Sequence, residues 1–345
     1  MPDKEPSKSP RNNYILVNDL AGQNDQLAES AHRYLSRKAS EKIRELASKS
    51  VPPSEVLASF TPQLKDYLKY WYQQKGIPSG DLNLQSAFFV LPKEPDAKKD
   101  GRETAAKADS KSNTAVLFKA ESGFQPEDPS FLYAEVINNF ESMRAAAHEA
   151  YHLVAPAKLY VRGDEQRTFE TDRYLGAAYE SKRHKKKGNA IEEGLTVLFE
   201  FDAVKSIAAA HFPEGLYAYF GQMKAMMDRH PEFKQRMLDE NIPIESVHLE
   251  IEDKGPSATI AYKNSVNLVK YLTEMVPQFR ELVELLRVKD ESLPLARALE
   301  KTFGKSTLGE GREGKSPFSF IMLAREENAE EVLVELKKRR ELINS

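Results

Sequence analysis

An α+β fold, mainly helical, is what this chain of 345 residues predicts, and three patterns predict it. Apolar residues recur at helical spacing over long stretches, first from Asp25 to about Lys49 and again in the stretch opened by Asp128-Pro129. Two short runs, Ala87-Phe88-Phe89-Val90-Leu91 and Ala115-Val116-Leu117-Phe118-Lys119, read as strands of a small sheet. From Leu216 onward the pattern is mostly helical again. The expected organisation is an N-terminal helical region (1–80), then an N-terminal lobe with a small sheet and a long helix (81–155). A hairpin and a helical C-terminal lobe (156–305) follow, and a linker with a final helix (306–345) closes the chain.

Each element has its own reason. Residues 1–12 are polar and proline-containing, the composition of a disordered terminus. Leu27, Ala31, Tyr34, Leu35, Ile43 and Leu46 form the apolar face of the first helix. Thr61-Pro62 reads as the N-cap and first position of a second helix, with Leu64, Tyr67, Leu68 and Trp71 on one face and Gly76 closing it. The interval Lys93–Thr114 has little apolar content and reads as a disordered excursion. Asp128-Pro129 supplies a cap and first residue for the long helix, whose apolar positions include Phe131, Val136, Ile137, Phe140 and Met143. Lys158–Val161 and Arg173–Ser181 suggest a hairpin, and the basic run Lys182–Lys187 its solvated tip. Val247-His248-Leu249-Glu250-Ile251 alternates like a strand, Leu293–Gly304 is a late helix, and Glu326–Leu342 is a charged helix that packs on the body or covers a cleft.

Composition narrows the function classes. Hydrophobic residues make up 40% and charged residues 30%, the balance of a soluble globular protein, and no apolar run reaches the length of a membrane span. A net charge of −3 gives no general attraction to nucleic acid or to an anionic membrane. The N-terminus lacks an apolar signal-peptide core, so the cytoplasm is the expected location. With no cysteine in the chain, any metal must be held by histidine and carboxylate.

The chemistry is concentrated in His148-Glu149-Ala150-Tyr151-His152. On a helix, residues four apart lie one above the other, so the imidazoles of His148 and His152 can reach one Zn2+ ion. Glu149 then stands beside the metal, where a carboxylate can take a proton from a zinc-bound water. A catalytic zinc needs a third protein ligand and an open vertex. The helix start at Ala190-Ile191-Glu192-Glu193-Gly194-Leu195 offers one, with Asn189 available as its cap.

HExxH followed by a helix bearing Glu-Gly-apolar-small, with a further acid seven residues on, resembles the gluzincins, the clan that includes the thermolysin and aminopeptidase N families. The resemblance spans about residues 128 to 305 and rests on three short motifs. It implies a zincin-like catalytic core and makes Glu193, the glutamate before the glycine, the third ligand. The segment Ile260-Ala261-Tyr262-Lys263-Asn264-Ser265 is similar to one in aminopeptidase N relatives and gives Tyr262 the role of oxyanion donor, although Asn264-Ser265 stand where that family has Lys-Gly. Three further departures accompany the likeness. The step from His152 to Glu193 is long; Val197 stands where thermolysin has a histidine-orienting aspartate; and no exopeptidase motif is present. Thr196, Glu200 or a backbone carbonyl must therefore orient the histidines.

The resulting expectation is a zinc metallopeptidase acting on a peptide or protein substrate. Its catalytic residues are Glu149 and Tyr262, its metal ligands His148, His152 and Glu193, with Thr196 and Glu200 behind them. The alternative is a non-catalytic helical interaction protein with a structural metal, which would require a fourth protein ligand such as His184 or His211.

Overall fold

Helices dominate the computed structural model, with small sheets between them; it describes residues 14–17, 25–92, 98–99, 102–103, 106–109, 113–119, 129–155, 157–162, 170–175, 178–181, 184–187, 189–252, 255–289, 291–305 and 316–344. In chain order the elements are β1 (Tyr14–Val17), α1 (Asp25–Lys49), α2 (Glu55–Gln73), β2 (Ala87–Leu91), β3 (Lys98–Lys99), β4 (Arg102–Glu103), β5 (Ala106–Asp109), β6 (Thr114–Phe118) and α3 (Pro129–Val154). Then come β7 (Ala157–Arg162), β8 (Glu170–Leu175), β9 (Ala178–Ser181), β10 (His184–Lys187), α4 (Asn189–His211), α5 (Pro213–Arg229) and α6 (Pro231–Asp239). The chain finishes with β11 (Val247–Glu252), β12 (Gly255–Ile260), α7 (Lys263–Met275), α8 (Phe279–Lys289), α9 (Ser292–Phe303), α10 (Pro317–Met322) and α11 (Ala329–Asn344).

Most elements fall where the sequence puts them, and the differences have local causes. Helix α2 begins at Glu55 rather than at Pro62, because the Ser54 side chain accepts from Leu57 N at 3.2 Å and caps it. Pro62 then sits inside the helix, where it cannot donate to the carbonyl four residues back. Gly76, at φ +70°, closes the turn that follows this helix, a conformation that favours glycine. The interval after Lys93 is not wholly irregular: β5 lies antiparallel to β6, which pairs in parallel with β2, so the sheet order is β2-β6-β5. The expected hairpin after α3 is part of a larger sheet, β1-β7-β8-β9-β10, in which β1 runs parallel to β7. The expectations of a disordered terminus at 1–12, a cap at Asp128, a solvated tip at Lys182 and Arg183 and a linker at 306–315 lie outside the described residues.

The core forms around α3 and α4. The first half of helix α4, residues 190–200, is buried all round, its apolar Ile191, Leu195, Val197, Leu198 and Phe199 accompanied by Glu192, Glu193, Thr196 and Glu200, so its neighbours enclose it. It packs on α3, α2, α5 and α7. Trp71 of α2 stands edge-on to Tyr72, Tyr151 and Phe199 and packs with them against the core, while Tyr70 stays exposed. The C-terminal end of α3 is held by the buried Asn83, whose side-chain amide donates to Leu153 O at 2.8 Å and whose backbone N–H donates to Val154 O at 2.9 Å. These bonds satisfy helix-end carbonyls immediately after His152. Helix α11 packs through Val332 and Leu336 against the body, mainly on α7 and α9. Among the described residues, no helix is long and apolar enough to cross a membrane.

Candidate metal centre

Helix α3 presents His148 and His152 on one face, and α4 brings Glu193 to meet them. His148 Nε2 and His152 Nε2 are 3.2 Å apart, and Glu193 Oε2 lies 3.3 Å from the first and 3.5 Å from the second. Tetrahedral coordination with bonds of about 2.0–2.1 Å requires donor atoms about 3.3–3.4 Å apart, so this triangle has the edge length of one face of such a site. Glu193 Oε2 is buried and makes no hydrogen bond. A buried carboxylate oxygen without a partner is costly, and a cation at the centre of the triangle would satisfy it.

The far sides of the imidazoles fix what their near sides can offer. His148 Nδ1 is 2.8 Å from Glu200 Oε2, and His152 Nδ1 is 3.1 Å from Glu192 Oε1. An ionised carboxylate only accepts, so each Nδ1 must donate, and a neutral ring then turns its Nε2 lone pair toward the triangle. Two nitrogen lone pairs and a carboxylate oxygen converge on one point. Such an arrangement needs a positive centre, either protons or a metal ion.

Behind each carboxylate stands a buried arginine. Arg144, one turn before His148, gives Nε and Nη2 to Glu200 Oε1 at 3.1 and 2.7 Å, and its remaining donors reach Val247 O and Glu245 O at 2.6 Å each. Arg287 of α8 gives Nη2 and Nε to the two oxygens of Glu192 at 2.8 and 3.0 Å. Its other bonds go to Glu284, the Tyr72 hydroxyl and Tyr151 O. Tyr72 and Tyr151 both donate to Glu284, which completes that network. On the Arg144 side, Glu141 accepts from Tyr219 OH and from Leu249 N and bonds His248 Nδ1. Buried ion pairs of this kind add little net stability, since desolvation opposes their attraction; what they secure is orientation.

The charges are unbalanced in a telling way. The carboxylates of Glu141, Glu149, Glu192, Glu193, Glu200 and Glu284 outnumber the guanidiniums of Arg144 and Arg287. Burial by itself would push the carboxyl pKa of Glu192 and Glu193 up. It is outweighed at Glu192 by Arg287, which holds that carboxyl at about 2, and at Glu193 by the two histidines, which keep it well below the usual range. Burial pulls both histidines down instead, but Glu193 and Glu192 hold His152 up at about 9, and Glu193 and Glu200 raise His148 well above its ordinary value. A divalent cation supplies the same charge as protonating both rings.

Two further groups complete the site. Glu149 is buried, and burial raises its carboxyl above the usual range despite the attraction of His148 and His152. Tyr262 stacks on His148 with ring centroids 5.9 Å apart and planes 25° apart. The negative charge of Glu193, followed by burial, pushes its phenol well above the ordinary range, so it remains a proton donor. The backbone at Tyr262 has φ +54° and ψ +30°, a left-handed conformation that non-glycine residues seldom adopt. Gly194 explains how close α7 comes. A Cβ at this position would lie 2.5 Å from Ser265 O and 2.8 Å from Val269 Cγ2, so only glycine lets the first turn of α7 rest on α4 beside Glu193.

The structure therefore brings together His148, His152 and Glu193, with Glu200 behind His148, and sets Glu149 and Tyr262 beside them. Thr196 is placed differently from expectation. Its hydroxyl donates to the Glu192 carbonyl at 2.6 Å, and no hydrogen bond joins it to either imidazole; the backbone one turn back is simply its nearest acceptor. His211 is exposed at the far end of α4, about 27 Å along the helix from Glu193, too distant to be a fourth ligand. Sequence reading missed Glu192 as the partner of His152 and missed both arginines. The signal at Arg144 was a charge among Phe140, Met143, Ala146 and Ala147, all of them buried. Comparison of the chain with protein families, with curated proteins and with solved structures returns no match.

Proposed function

We propose that the chain is a zinc-dependent peptidase built on a zincin-like core, with His148, His152 and Glu193 as ligands and a peptide or protein as substrate. The observation that carries the reading is the convergence of three donor atoms 3.2–3.5 Å apart, each imidazole oriented from behind by a buried carboxylate. Zinc held there would act as a Lewis acid, polarising a peptide carbonyl and acidifying a water.

The chain's own groups supply the rest. Glu149 accepts the proton of the attacking water and returns it to the leaving amine; burial raises its pKa, which makes it a better proton acceptor than a solvated carboxylate. The Tyr262 phenol, kept protonated beside Glu193, donates a hydrogen bond to the carbonyl oxygen as charge develops on it. Glu200 and Glu192, locked by Arg144 and Arg287, keep both imidazoles in the tautomer that leaves Nε2 free to bind metal.

The test is a peptide-library digest with purified protein and its Glu149→Gln variant. Glu149→Gln should keep the metal and lose at least about 100-fold in cleavage rate, the usual weight of general acid–base catalysis. Equal cleavage by both proteins would overturn the mechanism.

A further inference from the structure

We infer that the C-terminal segment completes the metal centre from outside, with Glu326 a positioning residue that holds Tyr262 over His148. The inference rests on the proposed role of Tyr262 as oxyanion donor, and it goes further by assigning a function to the segment that the sequence left open between body packing and an inhibitory tail.

A helix is normally started by a Ser, Thr, Asp or Asn at the N-cap, whose side chain accepts from the second or third backbone N–H of the helix. Helix α7 has no such device. Its N-cap is Tyr262, which makes no side-chain capping bond and is itself left-handed. The position is given over to the aromatic ring stacked on His148, so the capping has to come from elsewhere.

Glu326, in the 3₁₀ turn Glu326–Asn328 before α11, provides it. Its Oε1 accepts from Asn264 N at 3.0 Å and its Oε2 from Ser265 N at 2.9 Å. These are the second and third helical N–H groups, the pair an N-cap side chain would serve, and a carboxylate there also meets the positive end of the helix dipole. The side-chain amide of Asn264 reaches Glu326 O at 3.4 Å. Asn264 and Ser265 are the residues at which the chain departs from the aminopeptidase N pattern.

The same segment also holds the opposite wall. Ala324 O accepts from Ala190 N at 3.0 Å, in the first turn of α4 and three residues before Glu193. Ala324 is buried, as are Phe320 and Ile321 before it and Val332 and Leu336 after it, so the segment is anchored on both sides of the contact. Residues 324–326 thus bridge the starts of the two helices that carry Glu193 and Tyr262.

The experiment is a double-mutant cycle on the full-length chain: Glu326→Ala, Tyr262→Phe and both together, with zinc affinity measured by chelator competition and kcat and KM on a peptide found by digestion. Glu326→Ala should lower kcat by about ten-fold, part of the loss from deleting an oxyanion donor outright, with KM and zinc affinity within about two-fold. In the Tyr262→Phe background it should cost nothing more, because the group through which it acts is gone. Glu326→Gln, which keeps one accepting oxygen, should recover part of the rate, and it serves as the variant to read if Glu326→Ala does not fold. The same loss in both backgrounds, or loss of zinc, would overturn the proposal. If neither wild type nor variant cleaves any peptide, the peptidase reading fails by itself. The positioning claim is then decided by the fluorine resonance of 3-fluorotyrosine at position 262: a shift or broadening on Glu326→Ala or Glu326→Gln supports it, and an unchanged line overturns it.

Discussion

Replacing Gly194 by alanine tests how the site is assembled with one added methyl group. A Cβ at this position would lie 2.5 Å from Ser265 O, and ordinary contact begins at 3.4 Å. Helix α7 must therefore retreat by about 0.9 Å, or α4 must deform, and overpacking of this kind costs about 1–3 kcal/mol. Because Tyr262 is the residue at which α7 starts, the displacement moves its phenol away from the triad. A misplacement near 1 Å in a reacting constellation costs up to about 100-fold in rate. The proposed metal ligands are touched less, since Glu193 lies on α4 and both histidines on α3. The expected result is a melting temperature lower by several degrees, a kcat lower by about 10- to 100-fold and zinc affinity within a few-fold of wild type. Gly221→Ala is the control, because a Cβ there meets nothing within 4 Å and sits in the interior of α5, where alanine is favoured over glycine. If Gly194→Ala melts and turns over like wild type, the tight α4–α7 contact does not position Tyr262 and the argument is wrong.

Other expectations follow from the buried network. Arg287→Met leaves Glu192 and Glu284 buried without their counter-charge, so unfolding free energy should fall by about 3–5 kcal/mol and zinc affinity by about 10- to 100-fold. Denaturant titration and chelator competition measure the two effects, and unchanged zinc affinity would refute the orienting role. The metal-free protein should have an unusual pH profile. His152 is held at about 9, above the ordinary histidine value of about 6.5, so the stability its proton contributes is complete below pH ~6.5 and is lost as pH rises through 9. The melting temperature with chelator present should fall over that window. Saturating zinc should cancel the fall, because the ion takes the place of the protons. A flat profile in chelator would contradict the raised value.

The first half of the site was legible because helix geometry is regular. Residues 148 and 152 share a face on any α-helix, and Glu193 beside Gly194 follows from the clan resemblance. The small sheet was legible from its apolar runs, with β2 matching Ala87–Leu91 to the residue. What could not be read depends on contacts between distant segments. Arg287 lies on an amphipathic helix among charged residues that ordinarily face water, and nothing local says that Glu192, 95 positions earlier, will meet it. Glu326 is hidden for the same reason: an acidic turn before a charged helix looks solvated until α7 is seen to start on a tyrosine. The start of α2 was misplaced because Thr61-Pro62 imitates a cap and first residue, while Ser54 makes the actual bond. Strand β5 was overlooked because Ala106-Lys107-Ala108-Asp109 has almost no apolar pattern of its own and takes its register from β6.

The central claim is that His148, His152 and Glu193 hold one divalent cation with a coordination vertex left open. Zinc-edge X-ray absorption on stoichiometrically loaded protein tests it most directly, alongside Glu193→Gln. The account predicts one zinc per chain with two imidazole nitrogens and oxygen ligands at about 2.0–2.1 Å, and weakened binding in the variant. Failure to bind zinc, or the same spectrum and affinity after Glu193→Gln, would contradict it.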